Sequence, residues 1–306
     1  MEKPLHVNLH KLPQEENQRI FEEIEREYLS EAKPQKHPQC IFLGAPPASG
    51  KSTIAASFID DDFVFINIDK LRQYHPSYKS LNLINDKYTA IYTNFDAGIW
   101  YEKLIRASAE KRCHLLIENT FKDKQTCLFL CEGFVRSGYQ VYVKVMAVPY
   151  DKLLLGTHSR YEIKKDKKGF GRFSMPYSLD DAYYHFPDVV ENIKMQGLVK
   201  SIEIYSRQEL LFNEAYINAP LMEIIRTERT RTYQPQECTE VLDSWNEVWQ
   251  LMKKRATNIK EFHYVASRLE FCIQLMTDEK YPEENIHIIS NIHQQYKKDL
   301  LTCNHE

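Results

Sequence analysis

Five short runs of apolar, β-branched or aromatic residues punctuate the first two thirds of the chain: "CIFLG" (40–44), "FVFINI" (63–68), "HLLIE" (114–118), "YQVYVKVMAV" (139–148) and "KSIEIYS" (200–206). Longer segments between them carry apolar residues at spacings of three and four. Strand and helix alternating in this way predict an α/β fold: a parallel sheet of about five strands with helices on both faces. Ahead of the first strand, residues 1–38 are polar, and "NQRIFEEIEREYLSEA" reads as an amphipathic helix ending before Pro34. The fourth crossover, roughly 150–198, is longer than one helix requires. Within it "RYEIKKDKKGFGRFSMP" reads as a mobile loop, a lid over about 156–176. After about residue 208 the pattern turns helical, in "VLDSWNEVWQLMKKR" and "FHYVASRLEFCIQLM". The expected organisation is an N-terminal helical segment (1–38), an α/β domain (39–207) and a helical C-terminal region (208–306).

Composition narrows the class. A chain of 306 residues, 43% of them hydrophobic, can bury a full core in one large domain or a domain with an appendage. The formal net charge of −3 supplies no global basic field, so no nucleic acid is expected as a partner. "MEKPLHVNLHKLPQEENQR" lacks the apolar core of a signal peptide, and no apolar run approaches the roughly 20 residues that span a bilayer. A cytoplasmic protein without a membrane partner is the expectation, with a host cytosol as the alternative for a secreted effector. The seven cysteines are scattered without a CxxC pair, and the i,i+4 pair Cys127/Cys131 suits packing better than metal binding. They read as reduced thiols.

The first strand runs into "LGAPPASGKST" (43–53), which fits [A/G]xxxxGK[S/T] with Ala45, Gly50, Lys51 and Ser52. A strand precedes it and "STIAASFI", a plausible helix, follows, which is the context a phosphate-binding loop needs. Its physics is a helix N-terminus whose unpaired N–H groups face an anion. Ala48, Ser49, Gly50, Lys51, Ser52 and Thr53 would cradle the phosphates of a nucleotide, Lys51 reaching the outer ones and the Ser52 hydroxyl ligating Mg²⁺. Pro46 and Pro47 lack N–H groups but precede the main donors. Ala48 is the unusual residue: if its position needs a positive φ, alanine carries strain of order 1 kcal/mol.

No NKxD pattern marks a GTPase, and no strand ends in the acidic pair of a motor ATPase. One acidic residue instead stands at or just after each of two strand ends, Asp69 beyond "FVFINI" and Glu118 closing "HLLIE". Ligands of open α/β sheets bind beyond the carboxyl ends of the strands, so both converge on the loop. Asp69 could equally cap the helix that begins "KLRQYH", and Glu118 could be a turn residue. The lid carries Arg160 and Arg172, which suit a transferring phosphoryl group, with Lys164, Lys165, Lys167 and Lys168 between them as solvated charge. His75, before a proline in "YHPSY", orders a turn rather than acting as a base; Phe95, Trp100 and Tyr101 at helical spacing read as core.

Several ordered segments resemble the zeta toxins, kinases of UDP-N-acetylglucosamine, from about Cys40 to Arg207. "INIDKLRQYHPSY" is similar to the family's acidic residue before a His-Pro-aromatic turn, and "IENTF" to its Glu-x-Thr strand end. "VMAVPYDKLLLGTHSRYE" and "GRFSMPYSLDDAYYHF" resemble the segments bearing its two lid arginines, and "IEIYSR" its closing strand. The resemblance implies a P-loop kinase in which Lys51 and Ser52 hold ATP and Mg²⁺. Asp69 would be the general base on the sugar's 3′-hydroxyl, Glu102, Glu118 and Thr120 would bind the amino-sugar nucleotide, and Arg160 and Arg172 would clamp the phosphates. The chain departs from the family at Ala48 (glycine there), at Asn67 (often aspartate) and at Lys122, where an arginine often helps bind substrate and the two cations are not equivalent. The implied partners are the sugar nucleotide and a small helical antitoxin, or a helix of the chain itself covering the site. Two other readings stay open: a kinase of another acceptor (nucleoside, antibiotic or polynucleotide end), and a nucleotide-binding regulator or effector with vestigial catalysis.

Overall fold

The computed structural model describes residues 10–58, 62–214, 219–255, 257, 260–263 and 265–267. The chain divides into two compact units, one of residues 1–148 and 172–226, the other of 149–171 and 227–306.

The first unit is built on six strands: β1 (Gln39–Gly44), β2 (Phe63–Ile66), β3 (His114–Asn119), β4 (Gln140–Met146), β5 (Ser201–Tyr205) and β6 (Leu210–Asn213). Their order is β2-β3-β1-β4-β5-β6. The first five are parallel, as the sequence pattern predicts, and β6 pairs antiparallel with β5. β6 falls in the stretch assigned to helix from sequence; four residues after a tight turn carry too short a pattern to reveal a strand. β1 is central, with β3 on one side and β4 on the other, so the chain's path reverses at its end. That is where open α/β sheets bind ligands.

One face of the sheet is covered by α1 (Gln14–Leu29), α5 (Asn94–Glu110), α6 (Lys124–Arg136) and α8 (Pro176–Met195), which send Ile24, Trp100, Leu104, Phe134, Phe186 and Val190 into one core with the strands. The N-terminal helix is thus a core element despite the polarity of its segment: Ile20, Phe21 and Ile24 recur at helical spacing and are buried. α2 (Lys51–Phe58) covers the other face over Ile41, Leu43 and Leu116. Between β2 and α5 lie α3 (Ile68–Leu71), a 3₁₀ turn (Arg72–Tyr74) and α4 (Tyr78–Tyr92), the last kinked at Asn85.

His75 ends the 3₁₀ turn as the structural residue its sequence context suggests. Its Nδ1 accepts from Ser77 N–H (3.2 Å), which leaves Nε2 to donate to the His10 carbonyl (2.9 Å). Asp96, equally buried, stands 3.5 Å from Nε2 and accepts from Asn17 Nδ2 (2.7 Å) and Leu12 N–H (3.3 Å). Trp100 is fully buried and Tyr101 half-buried, while Phe95 is largely exposed beneath Lys11. Cys40, Cys127 and Cys131 are buried free thiols, and burial pushes the latter two up to about 12, so they pack without reacting. Cys272 and Cys303, like the helical reading beyond residue 267, lie outside the described residues.

After β6 comes α9 (Leu221–Thr230), and the second unit pairs α7 (Tyr150–Lys168) with α10 (Pro235–Lys254). α7 corrects the mobile-loop reading of the lysine-rich segment, since helix continues to Lys168 and ends with Gly169 at φ +78°. Lysine and glutamate are good helix formers, and glycine supplies the left-handed cap. Only 169–175 is irregular. Glu162, buried on α7, is gripped by Arg255 through two 2.7 Å bonds, and Arg255 also reaches Glu261. Asp151 accepts from the buried Tyr233 hydroxyl at 2.8 Å. Arg231 bonds Glu237 and holds that carboxyl down to about 2.

At the end of β1, a Cβ on Gly44 would lie 2.7 Å from the ring of Phe121, which is fully buried and held at φ +51°. Gly44→Ala is expected to destabilise the protein by about 1–3 kcal/mol, an overpacking cost read as a lower urea midpoint; an unchanged midpoint would show that the ring moves aside freely.

Candidate active site

The phosphate loop leaves β1 at Gly44 and enters α2 at Lys51, whose first N–H groups have no helical partner. Gly50 takes φ +101° and Ala48 φ +61°, so the loop does bend through the left-handed region at an alanine. Arg207, just past β5, donates from Nη2 to the Ala48 carbonyl at 2.8 Å. That bond ties the strained residue to the neighbouring strand end.

Two features of the loop fit a bound polyphosphate. Ser49 is fully buried and its Oγ has no hydrogen-bond partner, a donor in want of an acceptor. Lys51 is also buried, and its ammonium donates to the loop's own carbonyls at Ala45 (2.7 Å) and Pro46 (2.9 Å), with Glu118 Oε1 at 3.8 Å. Ser52 is exposed in the first turn of α2. Its hydroxyl oxygen suits Mg²⁺, and no group of three or more His, Cys, Asp or Glu among the described residues forms a cage of its own.

Asn67 decides what Asp69 is free to do. Asn67 is the N-cap of α3, its Oδ1 accepting from Asp69 N–H (2.7 Å) and Lys70 N–H (3.4 Å). The cap reading of Asp69 is therefore wrong, because the asparagine two residues earlier does that work. The Asp69 carboxylate turns instead toward two arginines. Arg172 Nη1 bonds its Oδ2, and Arg72 Nε lies 3.4 Å from its Oδ1. Asn67 Nδ2 also donates to Glu118 Oε2, so one side chain spans the two acidic residues. An aspartate could not donate that bond.

Glu118 is fixed by sheet register: it stands opposite Leu43 of β1, one residue before the loop, and its backbone carbonyl accepts from Tyr101 OH at 3.3 Å. Burial pushes the Tyr101 phenol up, keeping it a neutral donor. Thr120 follows β3, half-buried. The sequence-predicted residues brought together are the loop, Asp69, Glu118 and Arg172. Glu102 is exposed on α5, and no hydrogen bond or ion pair among the described residues joins it to them; Lys122 is likewise exposed. Arg160 lies on α7, in the second unit. Arg72 and Arg207 escaped the sequence reading. The three-residue spacing of Arg72 from Asp69, one face of a helical turn, was a usable signal; for Arg207 there was none.

A phosphate loop at the end of a central parallel strand, with carboxylates and arginines at the adjoining strand ends, defines a P-loop kinase fold. Residues 25–216 match the zeta toxin family, and the chain belongs to it. Toxin zeta of Streptococcus pyogenes is 24% identical over 250 residues, which cover 80% of this chain and 86% of that one. Toxin PezT of Streptococcus pneumoniae is 27% identical over 179 residues, 57% of this chain and 71% of its own. Among solved structures, a chain of the PezAT chromosomal toxin–antitoxin system of that organism superposes with a TM-score of 0.69 at 21% identity, covering 79% of this chain and 99% of its own. AvrRxo1-ORF1:AvrRxo1-ORF2 with ATP superposes at 0.53 and 10% identity, over 81% and 87%. These two likenesses establish the fold. As a family member the chain is an ATP-dependent phosphotransferase.

Ala48→Gly is expected to relieve about 1 kcal/mol of left-handed strain and to return about half of it as unfolded-chain entropy. The net gain of a few tenths of a kcal/mol reads as a small rise in urea midpoint. Ala48→Val, β-branched in the same region, is expected to lower it. A loss on Ala48→Gly would show that the loop is unstrained.

Proposed function

We propose that the chain moves the γ-phosphate of ATP onto the 3′-hydroxyl of the amino sugar of UDP-N-acetylglucosamine or a similar sugar nucleotide, with Asp69 as general base. The observation that carries this reading is the Asp69 carboxylate, released from capping by Asn67 and turned to Arg172, in a network that continues through Asn67 and Glu118 to Lys51.

Asp69 accepts the proton of the acceptor hydroxyl as its oxygen attacks the γ-phosphorus in line. A new P–O bond forms, the bond from the γ-phosphorus to the β–γ bridging oxygen breaks, and ADP leaves. Lys51 exchanges its loop carbonyls for phosphate oxygens, Ser49 Oγ gains an acceptor, and the loop N–H groups of residues 48–53 face the polyphosphate. Ser52 would hold Mg²⁺, which neutralises phosphate charge when bound. Arg172 exchanges Asp69 for the transferring group, and Arg160 is assigned to the same charge. Glu118 and Thr120, at the β3 end beside the loop, are assigned to the sugar nucleotide by resemblance, as are Glu102 and Lys122, exposed, to its outer part.

Relatives of the chain come from a toxin–antitoxin system and from the AvrRxo1-ORF1:-ORF2 complex, which supports a small antitoxin partner here. The alternative of self-covering by the N-terminal helix loses support, because α1 is built into the core. No helix among the described residues is long and apolar enough to cross a membrane.

Turnover of ATP by the full chain should rise with UDP-N-acetylglucosamine and yield the 3′-phosphorylated sugar. Asp69→Asn is expected to lower kcat by a factor of about 10²–10⁴, the worth of general-base catalysis, while ATP binding stays near wild type. Lys51→Ala should weaken binding and turnover together. Stimulation only by another acceptor would reassign the substrate, and wild-type turnover in Asp69→Asn would remove the base assignment.

A further inference from the structure

We propose that Arg72 is a positioning residue for phosphotransfer: anchored at the junction of α4 and α5, it holds the Asp69 carboxylate in place while Arg172 leaves. The inference rests on Asp69 being the general base.

Arg72 begins the 3₁₀ turn after α3 and is almost fully buried. Each of its nitrogens has an acceptor. Nη1 donates to the Ala90 carbonyl (2.6 Å) and lies 3.4 Å from Thr93 Oγ1; Nη2 donates to Asn94 Oδ1 (2.8 Å); Nε faces Asp69 Oδ1 at 3.4 Å. Three of the four acceptors are neutral, so they fix position without compensating charge. Asp69 is the one anion among them. Burial pulls the guanidinium down to about 10, which leaves it cationic at neutral pH. A buried cation is costly unless it is paired, so the two groups hold each other.

The two arginines on Asp69 differ in freedom. The Arg172 side chain is 37% exposed and comes from the irregular segment 169–175, whereas Arg72 is 10% exposed and bonded at three further points. Each takes a separate carboxylate oxygen. When Arg172 turns to phosphate, Oδ2 is bared toward the acceptor hydroxyl and Oδ1 stays with Arg72. The anchor is itself held: Thr93 is fully buried, and Asp96, one turn on, is gripped by Asn17 and Leu12 N–H and faces His75. The groups facing Asp69 are thus Arg72 at the end of α3, Arg172 before α8 and, beyond Asn67, Glu118 of β3 with Lys51 of the loop.

The test is steady-state kinetics of the full chain with ATP and UDP-N-acetylglucosamine from pH 5 to 9. In Arg72→Gln we expect kcat to fall about ten- to a hundredfold, the effect of a misplaced catalytic group, with KM for ATP little changed. The acid limb of kcat/KM should move up by about one pH unit, because a carboxylate that loses an adjacent cation binds its proton more tightly. Arg72→Lys should restore the limb but not kcat, since it keeps the charge and loses the fork. If Arg72→Gln keeps both kcat and limb while Asp69→Asn is dead, the positioning role is overturned and the base stands. If Asp69→Asn works normally, both readings fall; if the wild type phosphorylates only another acceptor, the substrate is reassigned and the same kcat and pH-limb comparison on that acceptor decides the role of Arg72. Should Arg72→Gln show no cooperative melt, Asn94→Ala removes one anchor and keeps the charge; its kcat should drop several-fold with the limb unmoved, and a wild-type kcat would overturn the inference.

Discussion

The first unit depends on the pairing of β1 with a parallel strand on each side. Because β3 and β4 occupy both of its edges, β1 is buried, and its register sets what lies at its carboxyl end. Leu43 opposite Glu118 puts that carboxylate beside the phosphate loop, and Gly44 opposite Asn119 brings the β3 exit against the loop's first turn. A slip of one residue would turn Glu118 to the opposite face of the sheet. Gly44 and Phe121 complete the constraint, since the glycine leaves room for a ring whose own backbone is strained. The strain of Phe121 and Ala48 is thus localised on either side of one strand end, where surrounding packing can hold it.

On that frame the charges of the site are paired internally. Lys51 rests on carbonyls of its own loop, Arg172 on Asp69, and Asn67 joins Asp69's helix to Glu118. Lys51 and Arg172 are therefore each paired with protein oxygens. Buried charges left without such partners would cost several kcal/mol each. Under the proposed function, substrate binding would exchange these partners rather than create new charge pairs, with Arg72 and Asn67 as the groups that stay put.

The second unit shows a different use of charge. Arg255 between Glu162 and Glu261, and Arg231 between Glu228 and Glu237, are ion-pair clusters within or beside the α7–α10 pair. Lys164, Lys167 and Lys168 on the same α7 are exposed, while Lys165 lies over the Tyr161 ring. Charge density alone suggested a loop here. The helix forms because its lysines and acids are good helix formers and because buried positions of α7 carry Leu153, Leu154 and Tyr161.

The alternating strand and helix segments of the sequence were enough to define a parallel sheet, its five parallel strands and the phosphate loop, because those signals are local: short continuous apolar runs, a fixed Gly-Lys-Ser spacing and a following helix. That Asp69, Glu118 and Arg172 gather beside the loop was legible as well, from two acidic residues at strand ends and an arginine after the fourth crossover helix. Local patterns could not say which of Asn67 and Asp69 caps α3, since both are good cap residues and only the backbone geometry chooses. They could not find β6, too short to carry a period, or the helix in the lysine-rich stretch. Nor could they see Arg72 pinned at the α4–α5 junction or Arg207 on Ala48, contacts between residues 18 to 159 positions apart. Those pairings exist only once the sheet has brought its strand ends together, and that is the decision tertiary structure makes.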